Sequence, residues 1–380
     1  MSGALTILVA KGQQDTVLTD NPQISFFRQN YKRHVNFSQA VLSQVIQGQP
    51  AKGAISTVTF DNKGDMLSYV YLTKKINGVV QPLISSVDIE KVEFIIGEQV
   101  IDTLTTRQLS SLQRFSPKYP QTDMGLWLPD SGGAIVFTQF HYPLGFWFCQ
   151  NWQSAIPLVA LQYHNVQIRI TWGEGVEEFA GTSYDVWANY IYLDNAERDY
   201  ITNRGTSDTL IYQHQSSPPS NSLMSILPFN NPVSFLFTDQ GGTDIMGETV
   251  SKDNNSAPTW GKQEPPIVGT GTVGLQINGV DIVEKKELYP HYNMIPCSYH
   301  TTYGKADVFF GTTQQFRQIP SFIYPFALNC SQLQPSGTCN FSRIDSAYLA
   351  SSKNVVKPIH ARSYNVLRIK NGMGGLLFSS

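Results

Sequence analysis

Charge is scarce in this chain: Asp, Glu, Lys and Arg make up 15% of its 380 residues, against the quarter or so common in soluble domains. Neither sign dominates, since 27 Lys and Arg face 29 Asp and Glu for a formal net charge of -2. A protein that works by neutralising phosphates carries a basic excess or at least a basic stripe. The nearest candidate, Arg28, Lys32, Arg33 and His34, is short, so no direct nucleic-acid binding is expected. Cysteine is scarce too. Cys149, Cys297, Cys330 and Cys339 are scattered, with no pair at the spacing that closes a zinc or dithiol site. They read as small hydrophobes in a reducing compartment, and spacing alone leaves a Cys330 to Cys339 bridge open. No apolar run approaches the roughly eighteen residues that cross a bilayer. The stretch from Leu5 to Ala10 lacks the preceding basic residue of a secretory signal, so synthesis and retention in the cytosol are expected.

Reactive motifs are missing as well. The chain holds no nucleophile elbow, phosphate-binding loop or paired-histidine zinc helix. His291, Cys297 and His300 come nearest to a metal cluster, but their spacing matches no common zinc pattern and a fourth ligand is absent. Glu174, Glu177 and Glu178 flank glycines in a connector and read as solvated. No catalytic, cofactor-binding or metal-binding residue is assigned, no cofactor is expected, and the chain is expected not to be an enzyme.

What the sequence does have is alternation. Residues 55–60, 67–72, 92–96, 166–172 and 186–193 place apolar and polar side chains in turn, the pattern of strands that bury one face and wet the other. Turn formers separate such runs, among them Asp61 to Gly64, Asn77-Gly78, Ser131 to Gly133 and Asn278-Gly279. Helical spacing is brief: Thr105 to Phe115, with Leu109 and Leu112 on one side, and Asn195 to Ile201 behind Asp194. Many short strands and few helices, without a strand-helix-strand rhythm, predict antiparallel sandwiches or barrels.

Length supports two domains, and polar composition at 203–208 and 215–222 sets their boundary near residue 204. The expected organisation is an N-terminal arm over 1–24 and two sandwich halves over 25–204 and 205–380. A weak internal echo, Ser183 to Val186 and Ser363 to Val366, falls near the end of each half. Gln240 to Thr272, polar and without periodicity, is expected to be an exposed loop. The dense aromatics Phe137, Phe140, Tyr142, Phe146, Trp147, Phe148 and Trp152 fit core and contact packing, because no Arg or Lys is interleaved with them. Asn-x-Ser acceptors at Asn36, Asn254, Asn329 and Asn340 are uninformative outside a secretory setting.

Longer segments resemble a known family. DNPQISFF over 20–27 with YKRHVNF over 31–37, WQSAIPL over 152–158 with LQYH over 161–164, and WANYIYLD over 187–194 are similar to the major capsid proteins of nucleocytoplasmic large DNA viruses. In the second half, so are LPFNNPV over 227–233, LQING over 275–279, QPSGTCNFSRID over 334–345, YNVLRI over 364–369 and GMGG over 372–375. The resemblance implies an all-β double jelly roll, two tandem eight-stranded jelly-roll sandwiches with short connecting helices. It implies a structural protein of the virion capsid, assembled in the host cytoplasm, in which three copies form a pseudo-hexagonal capsomer of an icosahedral shell. The implied partners are the chain itself, neighbouring capsomers, minor capsid and penton proteins, and the internal virion membrane through minor proteins. The alternatives are a related scaffold or minor capsid paralogue, a jelly-roll glycan binder using the aromatics between Phe146 and Trp152, and a cupin-type enzyme, which would need a histidine-rich metal site.

Overall fold

The structure is a computed structural model that describes residues 2–10, 12–26, 31–81, 88–112, 126–129, 135–138, 140–176, 181–238, 271–301 and 322–378. Two compact units emerge, Met1–Asn36 and Phe37–Ser380. The first holds helix α1 (Ser2–Val9), a 3-10 turn at Gln13–Asp15 and a short helix at Thr16–Thr19. Asp15 Oδ2 accepts from the Gly12 backbone N–H at 2.8 Å, which satisfies a donor left free at the start of that turn. None of the described side chains in this unit is buried, and Leu5, Ile7, Leu8, Val9, Val17, Leu18, Ile24 and Phe26 are exposed.

The second unit is built from strands. In its first half run β1 (Phe37–Gln44), β2 (Ile55–Phe60), β3 (Met66–Ile76), β4 (Ile89–Ile96), β5 (Gln99–Thr105), β6 (Tyr142–Pro143), β7 (Val166–Trp172) and β8 (Thr182–Leu193). The second half has β9 (Thr206–Ser216), β10 (Ser222–Ile226), β11 (Pro232–Thr238), β12 (Thr272–Ile277), β13 (Val280–Glu287), β14 (Ile323–Pro325), β15 (Ala347–Val355) and β16 (Ile359–Lys370), followed by β17 (Met373–Leu376). Every pairing among them is antiparallel. With the short additional pairings at Ile46–Gln47, Val79–Gln81, Ile156–Pro157 and Cys339–Asn340 set aside, one sheet of the first half runs β1-β8-β3-β6 and its companion β2-β7-β4-β5; the second half repeats the path as β9-β16-β11-β14 and β10-β15-β12-β13. Numbered within each half, both follow 1-8-3-6 and 2-7-4-5, the jelly-roll winding of two Greek keys. The chain is therefore an all-β double jelly roll.

Alternation explains the local structure. β7 reads buried and half-buried in strict turn, with Val166, Ile168, Ile170 and Trp172 inward, and β2 does the same with Ser56, Val58 and Phe60. Trp172 stays satisfied inside because its indole N–H donates to Ser56 Oγ at 2.8 Å. Between the sheets Phe94 meets Phe146, Trp147 and Phe148 at ring-centroid separations of 5.6, 5.3 and 4.9 Å. Fully burying each such ring contributes about 1.5–3 kcal/mol. Asn77 and Asn278 take φ of 51° and 50° at the hairpin turns, the left-handed conformation that asparagine tolerates.

The two helices expected in the first half exist. Helix α2 covers Thr106–Leu112, and α3 covers Asn195–Asn203 with Asp194 Oδ1 accepting from the Asn195 N–H at 2.8 Å. The tetrapeptide echo is not in register, since Ser183 is the second residue of β8 and Ser363 the fifth of β16. Duplication is legible in the winding rather than in those four residues, because each strand's side chains answer to different neighbours. Most of the expected loop at Gln240 to Thr272, the turn at Ser131 to Gly133, and Arg28, Glu177, Glu178 and Asn254 lie outside the described residues.

Candidate assembly surfaces

The side chains singled out for chemistry end in separate, ordinary places. His291 Nε2 lies 3.8 Å from Glu287, one helical turn away, while Cys297 is buried and packs with Ile323. His300 Nδ1 is 3.1 Å from the Ala327 carbonyl. Among the described residues no three His, Cys, Asp or Glu side chains are grouped to hold a metal ion. Glu174 is exposed and pairs with Lys52. Lys32, Arg33 and His34 are exposed within the first unit. All four cysteines are free thiols, and burial pushes the Cys330 thiol up to about 12, partly opposed by the nearby Arg362. Asn329 and Asn340 turn their side-chain oxygens back onto the N–H groups of Ser331 and Ser342, forming local turns.

The aromatic run divides. Tyr142, Phe146, Trp147 and Phe148 are core, which removes the stacking platform a glycan binder would need, whereas Trp152 is 73% exposed. Phe140 is half-buried, and the Phe137 side chain is outside the description.

The family-like segments hold the two halves together. LQYH at 161–164 meets GMGG at 372–375, with the Tyr163 N–H donating to the Gly372 carbonyl at 3.0 Å and His164 Nδ1 lying 2.9 Å from the Gly374 carbonyl. A Cβ at Gly372 would run into the Tyr163 ring and one at Gly374 into Leu161, so these backbones approach only because they carry no side chain. Within the second half, LPFNNPV at 227–233 is tied to the 334–345 segment, through Asn231 N–H to Ser342 Oγ at 2.8 Å and Phe341 N–H to the Asn231 carbonyl at 3.1 Å.

Beside this lock, β5 of the first half covers β9 of the second. Asp102 Oδ1 accepts from the His214 backbone N–H at 2.8 Å and Oδ2 lies 2.9 Å from His214 Nδ1, with both residues buried. Gln213 Nε2 donates to the Ile101 carbonyl at 2.6 Å, and Gln108 Nε2 to Ser216 Oγ at 2.6 Å, next to His360. Arg362, buried, lays its guanidinium 4.0 Å from the Tyr212 ring centroid, a cation over a π face. One apolar cluster runs through the seam, joining Phe94, Ile101 and Leu104 to Ile211, Tyr212, Phe235 and Leu367. Sequence reading missed Asp102 and His214; partners 112 positions apart leave no local signal.

Comparison with known proteins now decides the family. A family described as "Major capsid protein N-terminus" matches residues 25–194. The major capsid protein of Pyramimonas orientalis virus is 31% identical, and that of Paramecium bursaria Chlorella virus 1 is 30% identical, each over the whole of both chains. The chain belongs to the major capsid proteins of nucleocytoplasmic large DNA viruses. Among solved structures, VP54 of Paramecium bursaria Chlorella virus 1, fitted into a reconstruction of the virophage Sputnik, superposes with a TM-score of 0.71 at 24% identity, over 94% of this chain and 100% of that one. The Faustovirus major capsid protein gives 0.59 at 13% identity, over 97% and 96%. Both likenesses bear on the fold, the double jelly roll already traced. Capsid proteins of this family are structural and not enzymes, and this member belongs in the virion capsid.

Proposed function

We propose that three copies of this capsid protein form a pseudo-hexagonal capsomer and that such capsomers tile an icosahedral shell. The observation that carries the reading is the winding 1-8-3-6 and 2-7-4-5 occurring twice in one chain. A threefold assembly of such chains offers six similar modules, the number a hexagonal lattice needs from each tile. The working units are an arm over 1–24 and jelly rolls over 25–204 and 205–380. Light scattering on the purified protein should give three times the chain mass, and a single copy at every concentration overturns the proposal.

Assembly is placed in the host cytoplasm, with minor capsid and penton proteins as further partners and the internal membrane reached through minor proteins. The exposed apolar side chains of the N-terminal unit, from Leu5 to Phe26, support an inner-shell contact, because they find no cover within that unit. Removing residues 1–36 should leave a soluble trimer that no longer builds shells; normal shells from the shortened chain refute the contact.

A further inference from the structure

The seam between the two jelly rolls is made by one hairpin edge and one strand face, and the chain carries a second copy of each that faces solvent. The hairpin β4–β5 pairs Ile96 with Gln99, Ile95 with Val100 and Phe94 with Asp102, leaving Ile101 as a bulge. Hairpin β12–β13 pairs Ile277 with Val280, Gln276 with Asp281 and Leu275 with Val283, leaving Ile282 as a bulge at the same step. Both turn through two residues of positive φ, Gly97 and Glu98 at 53° and 73°, Asn278 and Gly279 at 50° and 77°. A shared bulge fixes how the edge twists and where its side chains aim, so Ile101 and Ile282 occupy matching positions, as do Asp102 and Val283. Their surroundings differ: Ile101 is 1% exposed beneath β9, and Ile282 is 55% exposed.

The strand on the other side of the seam also has a counterpart. β1 begins opposite the end of β8, Phe37 against Leu193, and β9 begins opposite the end of β16, Thr206 against Lys370. Counting from those pairs, the inward Leu42 and Gln44 match Ile211 and Gln213, which themselves reach the seam through its apolar cluster and the Ile101 carbonyl. On the outward face, Val41, Ser43 and Val45 then match Leu210, Tyr212 and His214. Tyr212 and His214 are buried by β5, whereas Val45 is 76% exposed and Ser43 and Val41 face solvent.

We propose that the edge of β13, led by Val280, Ile282 and Val283, docks on the outward face of β1 and the residue that follows it, at Val41, Ser43 and Val45, of a second copy of this chain. The inference rests on the trimer reading and specifies its seam. Repeating the internal junction between molecules makes a head-to-tail contact, and three such contacts with three internal ones close a ring of six jelly rolls. The chemistry at the matched positions suits the difference in timing. Asp102 and His214 meet as the chain folds and are never wet afterwards, while Val45, exposed, and Val283, half-buried against its own core, must stay soluble alone and then lose their remaining water together. An apolar pair does so without stranding a buried charge.

The test joins Val45→Cys and Val283→Cys in one full-length chain and treats it with a short bis-maleimide, with each single variant as control for the native thiols. Covalent dimers and trimers that stop at three chains, absent from the single variants, are expected. A trimer by light scattering that gives no linkage above the controls overturns this seam and leaves the trimer standing. Linked species running past three chains overturn the closed ring, and a monomer overturns both readings. In a second variant, Ile282→Asp, the exposed position allows folding, and folded monomers are expected where the parent is trimeric; an unchanged trimer argues against the seam.

Discussion

Truncating Asp102 to alanine tests how the two jelly rolls hold each other. Its carboxylate accepts from the His214 and Thr103 backbone N–H groups at 2.8 and 2.9 Å and faces His214 Nδ1 at 2.9 Å. The site is dry, with Asp102 3% exposed. Alanine leaves the His214 N–H and ring nitrogen buried without partners, and each stranded polar group costs about 1–3 kcal/mol. Removing one member of a buried pair costs about 3–5 kcal/mol, a large part of the roughly 5–15 kcal/mol that holds a folded protein together. With a urea slope near 3 kcal/mol per molar, the unfolding midpoint falls by about 1–1.7 M. Tryptophan fluorescence against urea, at one fixed protein concentration because association adds stability, reads the shift. Changing both residues to leucine should recover part of the loss, since the histidine ring nitrogen is then gone and only the backbone N–H groups of residues 214 and 103 lose their acceptor. An Asp102→Ala midpoint equal to that of the parent refutes the reasoning, and so does a double variant as weak as the single one.

Alkali should weaken the fold through buried acids. Burial pushes the Cys330 thiol up from 9.0 to about 12 and the Tyr292 hydroxyl up from 10.0 to about 12, and it pushes Tyr142 and Tyr190 up as well. The unfolded chain releases these protons first, so their contribution is intact below pH 9 and is lost as pH rises toward 12. Unfolding midpoints that stay level across that window contradict the assignment. Two glycines of positive φ should separate by their surroundings: Gly279→Ala meets open space and costs about 1–2 kcal/mol from the backbone alone. Gly97→Ala also drives a methyl into the His164 ring that holds Gly374, adding about 1–3 kcal/mol. Equal midpoints for the two variants count against that lock.

Where a strand has one wet face, its alternation was readable from the residues alone: β2 and β7 begin and end at the residues expected, Ile55 to Phe60 and Val166 to Trp172. The helix behind Asp194 declared itself through its cap. The second half offered fewer such signals because two of its central strands, β11 and β16, are covered on both sides for most of their length. β11 is buried at six of its seven positions and β16 from Ile359 to Asn365 without a break, so no polar residue marks a solvent face. Helix α1 escaped notice, since an apolar stretch without alternating charge carries no helical period. Trp152 looked like its aromatic neighbours in composition, and only the turn it occupies points it outward. The capsid motifs were visible as words in order, but their purpose was not. That Tyr163 meets Gly372, more than two hundred residues away, is a property of the winding and not of either segment.

Helix α3 is the tether between the two jelly rolls, and it is pinned. Arg198 Nε and Nη2 lie 2.9 and 3.0 Å from the two oxygens of Asp65, which also takes the Leu193 N–H at 2.7 Å. A joint fastened there, together with a seam filled by one apolar cluster, leaves no hinge between the two jelly rolls among the described residues. If capsomers tile a closed coat as proposed, its bends are expected between neighbouring tiles rather than between the two jelly rolls of one chain.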